Sequence, residues 1–343
     1  MEQERKALGW GNDVRPAYVL RAYDPAQKRR CRQLIARADA VIWGSCPYGM
    51  ILPRLLRRRL TFSYSERLFK EGKYGFGFWG RAVKYGVFLR APQKNHYLLC
   101  SSAYAAGDYG LLGQFRGRAL RWGYFPQAVQ YDLPALMNKK QPGSILWVGR
   151  MIGWKHPEYA LETARRLKAL GCAFTMELVG TGALEEGLRA QVESWGLQEQ
   201  VRLSGAVTPE QVRAKMERAA VFLITSDQNE GWGAVLNEAM NSGCAVVTCR
   251  ATGAAPFLVE DGKNGFLYEN DRIDTLAERT RFLLEHPGKA RELGENAYQA
   301  ITQTWNSHCA ARRLLELAQD LAAGRQPELP AEGPCSIAPI IEG

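Results

Sequence analysis

The chain has 343 residues, of which 46% are hydrophobic and 23% charged, a composition typical of a globular protein with enough core for two domains. No run of about 18 apolar residues exists, so no transmembrane helix is predicted. The polar opening, MEQERKALGW, does not have the pattern of a signal peptide. The net charge of +10 is uneven, because residues 1–127 contain 23 Lys or Arg against 8 Asp or Glu. We therefore predict a cytoplasmic protein whose first half attracts an anionic partner, including the inner membrane surface.

The eight cysteines and four histidines show neither a C-x-x-C pair nor the spacing of metal ligands. This excludes a zinc site and a disulfide framework as sequence-based interpretations. We expect reduced cysteines, no metal and no bound cofactor.

The first half alternates short apolar runs with helical patterns. Strands are expected over residues 17–21, 40–44, 60–65, 96–101 and 119–124, and helices over residues 25–37, 48–58 and 103–112. Such alternation predicts βαβ units and a parallel sheet, here assigned to a Rossmann-like domain over residues 1–126.

The alternation restarts after a linker expected over residues 127–143. Strands are expected over residues 144–149, 174–180, 201–204, 221–225 and 244–248, and helices over residues 157–170, 184–195, 209–219, 234–241 and within 272–321. We predict a second Rossmann-like domain over residues 144–305, a helix over 306–323 that returns to the first domain, and a disordered Pro-rich tail over 324–343. The predicted fold class is α/β, with two Rossmann-like domains facing each other across a cleft.

One stretch, TSDQNEGWGAVLNEAMNSGCAVVT, joins two apolar strands through a loop and a short helix. The loop ends in EGWG, which starts at Glu230, and the helix that begins at Ala234 carries Glu238 eight residues after Glu230. Gly231 and Gly233 lack a Cβ, so a ligand can approach the backbone, and the first N–H groups of the helix point toward it. The arrangement suits a phosphate-bearing, polyhydroxylated ligand, while the alternative is a strand–loop–helix with solvated acids.

The same stretch resembles the Glu-x7-Glu signature of retaining glycosyltransferases with the GT-B fold, specifically glycosyltransferase family 4. It is most similar to the branch that acts in capsule and exopolysaccharide synthesis. The resemblance implies that Glu230 contacts the donor sugar near the reacting carbon and that Glu238 holds the ribose hydroxyls. The other residues that it implies in donor binding are Gly231, Trp232, Gly233 and Ala234.

Further donor-side residues follow from the same resemblance. In the sequence VGRMIGWK, Arg150 and Lys155 take the diphosphate-binding positions, although two such cations alone would be read as surface charges. The turns that the resemblance implies around the nucleotide, and that by themselves would be packing glycines, contain Gly149, Gly180, Gly182, Gly205, Ala206 and Val207.

In the first domain, Glu66 and Arg67 end a predicted strand and are candidates for the acceptor side, or else a structural ion pair. The family often has a His near such a position, and this chain has none. The segment MILPRLLRRR, residues 50–59, is either a solvated basic helix face or a site for anionic lipid or a polyprenyl diphosphate. Nucleic acid is not a predicted partner, because no recognition motif accompanies the charge.

Together the resemblance implies a metal-independent hexosyltransferase that moves a sugar from a nucleotide diphosphate sugar to a glycan or lipid-linked acceptor, with domain closure assembling the site. Domains of this family open with an apolar strand and a Gly-rich turn, so we expect this first domain to lack its first β-α-β portion. A non-catalytic nucleotide-sugar-binding subunit and a nucleotide-sugar epimerase of the same fold remain open alternatives.

Overall fold

A computed structural model describes residues 16, 18–70, 79, 80, 83 and 95–341, and the opening decapeptide lies outside these ranges. The described chain divides into two compact units. Residues 124–309 form one, which we call the six-stranded unit, and residues up to 123 together with those from 310 onward form the other, the four-stranded unit. Within the described ranges, no helix combines the length and the hydrophobicity needed to cross a bilayer.

The four-stranded unit is a parallel sheet in the order β1-β2-β3-β4. Its strands are β1 (Val41–Trp43), β2 (Thr61–Ser65), β3 (His96–Cys100) and β4 (Ala119–Arg121). Its helices are α1 (Pro25–Arg37), α2 (Tyr48–Leu56) and α3 (Ala105–Leu111). Phe62, Leu98, Leu99 and Leu120 are buried in its core, as the alternating apolar runs predict.

The strand expected over residues 17–21 is wrong for the part that is described, residues 18–21, which form a turn and irregular chain. The Arg21 N–H donates to Gln27 Oε1 at 2.9 Å, and Asp24 caps the first turn of α1 by accepting from the Ala26 N–H. The backbone of this segment therefore supports a helix start instead of a sheet. Ala17 lies outside the described residues.

The expected disorder of the tail is also wrong as far as residue 341, beyond which the chain is outside the described part. The Cys335 and Ala338 N–H groups donate to the carbonyls of Arg121 and Ala119, both at 2.9 Å, and the Arg121 N–H donates to the Ser336 carbonyl at 2.7 Å. The tail thus runs antiparallel beside β4. An edge strand offers unpaired backbone groups to such a segment, and the composition of the segment does not reveal that.

The six-stranded unit is a parallel sheet in the order β10-β9-β8-β5-β6-β7. Its strands are β5 (Gln141–Val148), β6 (Thr175–Val179), β7 (Val201–Leu203), β8 (Ala219–Ile224), β9 (Ala245–Cys249) and β10 (Phe266–Tyr268). Its helices are α4 (Leu133–Asn138), α5 (Pro157–Ala169), α6 (Glu185–Ser194), α7 (Pro209–Arg218), α8 (Ala234–Asn241), α9 (Ala255–Leu258), α10 (Ile273–Glu285) and α11 (Pro287–Gln299). Helix α12 (Ser307–Ala322) belongs for most of its length to the four-stranded unit and leads into the tail.

The sequence prediction missed several short elements of this unit. The expected linker over residues 127–143 contains α4, which Asp132 caps by accepting from the Ala135 N–H at 3.0 Å, and the start of β5. Strand β10, of three residues, is too short to show a period.

The strand order has one reversal. From β5 the chain adds β6 and β7 on one side and then β8, β9 and β10 on the other. Strands β5 and β8 are neighbours, and the connections that follow them therefore leave toward opposite faces of the sheet. Ligands of such sheets bind at this point, outside the carboxyl ends of the strands.

Candidate functional site

A cavity of about 500 Å³ lies at this point of the six-stranded unit. Of the residues predicted for the donor side, those that line it are Gly149, Arg150, Lys155, Gly180, Ala206, Val207, Glu230, Ala234 and Glu238. The lining residues that the sequence analysis did not single out are Val148, Trp154, Val179, Thr181, Val212 and Val235. The cavity therefore combines two cations, two carboxylates and an apolar wall.

A larger cavity, about 710 Å³, opens elsewhere in the same unit, against the opposite, amino-terminal ends of β5 and β6. Its central charges already pair with each other, since Lys215 Nζ lies 2.7 Å from Glu177 Oε1. Size alone does not make it the better candidate, because ligands of parallel sheets bind at the carboxyl ends.

The predicted glycines bring neighbouring strand ends together. A Cβ on Gly180 would lie 1.9 Å from the Gly149 carbonyl oxygen, and one on Gly182 would lie 2.3 Å from that of Met151. The Gly180 N–H also donates to the Gly205 carbonyl at 2.8 Å. Gly182 and Gly205 are not among the cavity-lining residues. The structure favours the packing interpretation for Gly182, whereas Gly205 has space for a side chain and a left-handed backbone with φ 69°.

Lys155 ends a short 3-10 turn, Gly153–Lys155, between β5 and α5. Its carbonyl accepts a hydrogen bond from Thr225 Oγ1 at 2.6 Å, and the same hydroxyl accepts from Trp147 Nε1 at 2.8 Å. Trp147 and Thr225 are both buried. A polar residue at the end of an apolar strand signals such a contact, but the sequence analysis did not use it.

The Lys155 ammonium forms an ion pair with the Glu230 carboxylate, and each side chain is only 16% exposed. The Glu230 N–H donates to the Asp227 carbonyl at 3.1 Å, which closes the loop before α8. Shielding from water strengthens the pair. An anionic ligand that enters the cavity would compete with Glu230 for Lys155.

Gly233 adopts a left-handed conformation with φ 86°. A Cβ there would lie 2.8 Å from Thr252 Cγ2 and 3.3 Å from Glu230 Cγ, so a side chain would displace the Glu230 loop. The structure therefore explains why the EG-x-G pattern has glycine at this position.

The Trp232 indole lies in the core, so the donor contact predicted for this residue would have to come from its backbone. The indole is 1% exposed and donates from Nε1 to Asn237 Oδ1 at 2.8 Å. Its aromatic neighbours are Tyr124, Phe257 and Trp305. Burial of the large apolar indole stabilises the core, and from there the side chain supports the loop. Gly231 is buried beside it and does not line the cavity.

Helix α8 begins at the cavity, where Ala234 and Val235 form part of the wall. Gly233 is its N-cap, without a side-chain cap, and its first turn has no acidic residue. The first N–H groups of a helix lack partners inside it, so this end carries a partial positive charge toward the cavity.

Glu238 lies one turn after Ala234 on the same side of α8 and also lines the cavity. Burial raises the pKa of its carboxyl, an effect that Arg213 partly offsets. Hydroxyl donors of a ligand would stabilise this poorly solvated carboxylate. At the opposite wall, the Arg150 guanidinium lies 5.4 Å from the centroid of the Trp154 ring, which is 39% exposed.

In the four-stranded unit, Arg67 is buried, with Nε 3.7 Å from Asp108 Oδ2 and its guanidinium 4.8 Å from the Tyr104 ring centroid. The same carboxylate oxygen accepts from the N–H groups of Leu68 and Phe69. Of the two interpretations of Arg67, the structure supports the structural ion pair. Glu66 is partly exposed and pairs with Lys70 at 2.6 Å.

The basic segment of residues 50–59 also contains both buried and exposed side chains. Arg54 is buried and donates to the carbonyls of Ile35, Ala38, Asp39 and Leu60 and to Thr61 Oγ1. It therefore is not part of a solvated face. Arg57 and Arg58 are exposed, whereas Arg59 donates to the Ala36 carbonyl at 2.8 Å.

A comparison with protein families finds a match to the part of the chain that contains this cavity. Residues 133–300 match one family model. The matched family is glycosyl transferases group 1.

WcaL of Salmonella typhimurium, named for colanic acid biosynthesis, is 31% identical over 191 residues, which are 53% of this chain and 47% of WcaL. The amylovoran biosynthesis glycosyltransferase AmsK of Erwinia amylovora is 29% identical over 207 residues, 59% of this chain and 50% of AmsK. The chain thus spans about half the length of the curated relatives it matches.

Solved structures extend the likeness beyond the group 1 segment. Anabaena HepE in complex with UDP has a TM-score of 0.62 at 18% identity, over 87% of this chain and 81% of HepE. The apo form of the lipopolysaccharide outer core galactosyltransferase WaaB has a TM-score of 0.64 at 17% identity, over 87% of this chain and 78% of WaaB. These likenesses concern the fold, and they confirm the predicted GT-B class with two Rossmann-like sets of parallel strands.

Proposed function

We propose that this protein is a retaining glycosyltransferase that transfers a hexosyl group from a nucleoside diphosphate sugar to a glycan or lipid-linked acceptor. The observation that supports it best is the convergence of Arg150, Lys155, Glu230, Glu238 and the start of α8 on one cavity of the group 1 segment. This set offers cations for a diphosphate and carboxylates for hydroxyl groups, in a site of suitable size for a nucleotide.

In this proposal the diphosphate lies between Arg150, Lys155 and the N-terminus of α8. The departing nucleoside diphosphate gains negative charge in the transition state, and fixed cations and helix N–H groups stabilise that charge. Glu230 is released from Lys155 by the diphosphate and contacts the donor sugar near its reacting carbon. Glu238 accepts the ribose hydroxyls. Arg150 and Lys155 thus act on the leaving group, and Glu230 positions the sugar.

Surface polysaccharide synthesis is the proposed setting, because two relatives are named for colanic acid and amylovoran biosynthesis. UDP is bound in HepE, which makes a uridine nucleotide the first donor to test. The acceptor is proposed to be a glycan, free or linked to a polyprenyl carrier.

A contact with anionic membrane is part of the proposal. Helix α1 contains no acidic residue, and it packs beside α2. The exposed side chains that would face the lipid head groups are Lys28, Arg29, Arg30, Arg32, Arg37, Leu56, Arg57 and Arg58. Cosedimentation with vesicles that contain anionic lipid, and not with neutral vesicles, would support this contact.

Thermal unfolding with UDP, GDP, ADP and their sugar conjugates tests the donor site. A ligand at about 100 times its Kd should add about 2.7 kcal/mol to the free energy of unfolding. The nucleotide that stabilises the protein identifies the base of the donor. Glu230→Gln should keep this stabilisation, while the rate of sugar transfer falls by about 100-fold or more. Equal loss of both in that variant would contradict the role of Glu230.

Two further outcomes separate the alternatives. Turnover of the donor sugar without acceptor would indicate an epimerase, and binding without turnover by the wild type would indicate a binding subunit. Metal independence stays a prediction, and transfer that survives EDTA would support it.

A further inference from the structure

We propose that His156 is a positioning residue, whose hydrogen bonds to Glu158 and Asp227 hold the Lys155 turn against the loop that carries Glu230. The inference deepens the proposed function, since it concerns the same donor cavity. His156 follows Lys155 directly, and its side chain belongs to neither the cavity wall nor the core.

Asp227 connects the two parts of the site. Its N–H donates to the Trp154 carbonyl at 3.0 Å, and its Oδ2 lies 3.2 Å from His156 Nε2. It therefore contacts the residues on both sides of Lys155. Its own Oδ1 accepts from the Asn229 N–H at 2.7 Å, and its carbonyl accepts from the Glu230 N–H at 3.1 Å. Whatever moves Asp227 relative to the turn also moves the Glu230 backbone relative to Lys155.

The backbone of His156 is left-handed, with φ 44° and ψ 53°. This conformation is uncommon for residues other than Gly, but Asn, Asp and His adopt it more often than the rest. The ring stacks on Tyr159, with centroids 4.5 Å apart and planes 13° apart. Its Nδ1 lies 2.7 Å from Glu158 Oε1. These contacts fix the ring orientation.

Both ring nitrogens face a carboxylate, which requires a proton on each for two hydrogen bonds. The groups that face the ring are Glu158 and Tyr159 of α5 and Asp227 of the β8–α8 loop, and the Tyr159 hydroxyl in turn donates to Asp271 Oδ1 at 2.5 Å. The hydrogen bond to Glu158 is the largest cause that raises the pKa of His156, and burial opposes it.

The consequence is a pH-dependent link. Below the raised pKa, the imidazolium donates to both carboxylates. As the pH rises through that pKa the ring loses one donor, and the longer bond, to Asp227, is the one we expect to be lost. The Lys155 turn and the Glu230 loop are then less firmly held, and a diphosphate should bind more weakly.

The test measures the Kd of UDP-glucose at pH 6.0 and pH 8.5, because its esterified diphosphate does not titrate in that range. The proteins compared are the wild type, His156→Asn and His308→Asn. Asn tolerates the left-handed backbone, so the first variant should fold. His308 is exposed and serves as the matched control.

For the wild type and His308→Asn, we expect the Kd to rise about five-fold from the lower to the higher pH. His156→Asn should bind about five-fold more weakly than wild type at pH 6.0, with no further change at pH 8.5. Asp227→Asn should show the same weaker binding at pH 6.0 and the same lack of pH dependence as His156→Asn. A wild-type pH dependence in His156→Asn, or wild-type affinity at pH 6.0, would overturn the proposal.

Hydrogen exchange of residues 225–233 without nucleotide keeps this test separate from the donor assignment. Corrected for the intrinsic rate, protection in the wild type should fall between the two pH values, and His156→Asn should show the lower protection at both. If the wild type binds no UDP-glucose, the donor proposal fails while this exchange difference still decides the role of His156. Equal protection in both proteins would refute that role.

Discussion

The two units use shielded charged side chains in different ways. In the four-stranded unit, five oxygen acceptors surround the Arg54 guanidinium, and Arg67 pairs with a buried Asp108 that also accepts two backbone N–H groups. In the six-stranded unit, Lys155 has one carboxylate partner at the edge of a cavity, and Arg150 lies over an exposed Trp ring. The comparison teaches that residue type alone does not distinguish a structural charge from one that remains available to a ligand. The number of internal partners does.

The largest effect that would sharpen this comparison is expected at Arg54. Arg54→Met keeps the apolar stem but leaves buried carbonyls without a donor, so the free energy of unfolding of the four-stranded unit should fall by about 3–5 kcal/mol. Arg57→Met, an exposed neighbour, should change it by less than about 0.5 kcal/mol. Chemical denaturation, monitored by hydrogen exchange in each unit, measures the free energy of unfolding of both variants. Similar small changes for the two variants would contradict a structural role for Arg54.

A smaller effect, on a different property, is expected at Lys155. Lys155→Ala removes a charge-assisted contact to the diphosphate, worth about 1.5–3 kcal/mol, so the Kd of the responding nucleotide should rise about 10- to 100-fold. Its free energy of unfolding should also fall, because Glu230, only 16% exposed, is left without its partner. Lys139→Ala, which breaks an exposed ion pair of the same unit, is the control and should leave the Kd unchanged. Calorimetry that finds equal affinity for both variants would place the diphosphate elsewhere.

The smallest effect concerns Glu66, the remaining candidate of the four-stranded unit. Its pair with Lys70 is partly exposed and spaced i, i+4, so Glu66→Gln should lower the free energy of unfolding by only about 0.3–0.5 kcal/mol. If Glu66 also binds the acceptor, the KM for acceptor should rise while the nucleotide Kd stays constant. An unchanged KM would leave Glu66 with the structural role already found for Arg67.

Much of the fold was predictable from local patterns. Apolar runs with turn residues between them indicated all strands of both sheets except β10, and helix α8 begins and ends where its pattern predicts, at Ala234 and Asn241. The cavity residues Arg150, Lys155, Glu230 and Glu238 were predicted from the resemblance of their motifs to glycosyltransferase family 4, because position in the chain alone left the two cations as surface charges. These features depend on residues that are near one another in the chain.

The sequence by itself therefore determined the two α/β units, the strand–turn–helix context of the site and the uneven charge. Only the tertiary structure decided which charges are internal, as for Arg54, and which indole is core, as for Trp232. It also decided the contacts of Trp147 with Thr225 and of His156 with Asp227, which join residues 78 and 71 positions apart. The physical reason is that a hydrogen-bond partner is chosen by the packing of the sheet, whereas a periodic pattern reports only on which side of its own element a residue lies.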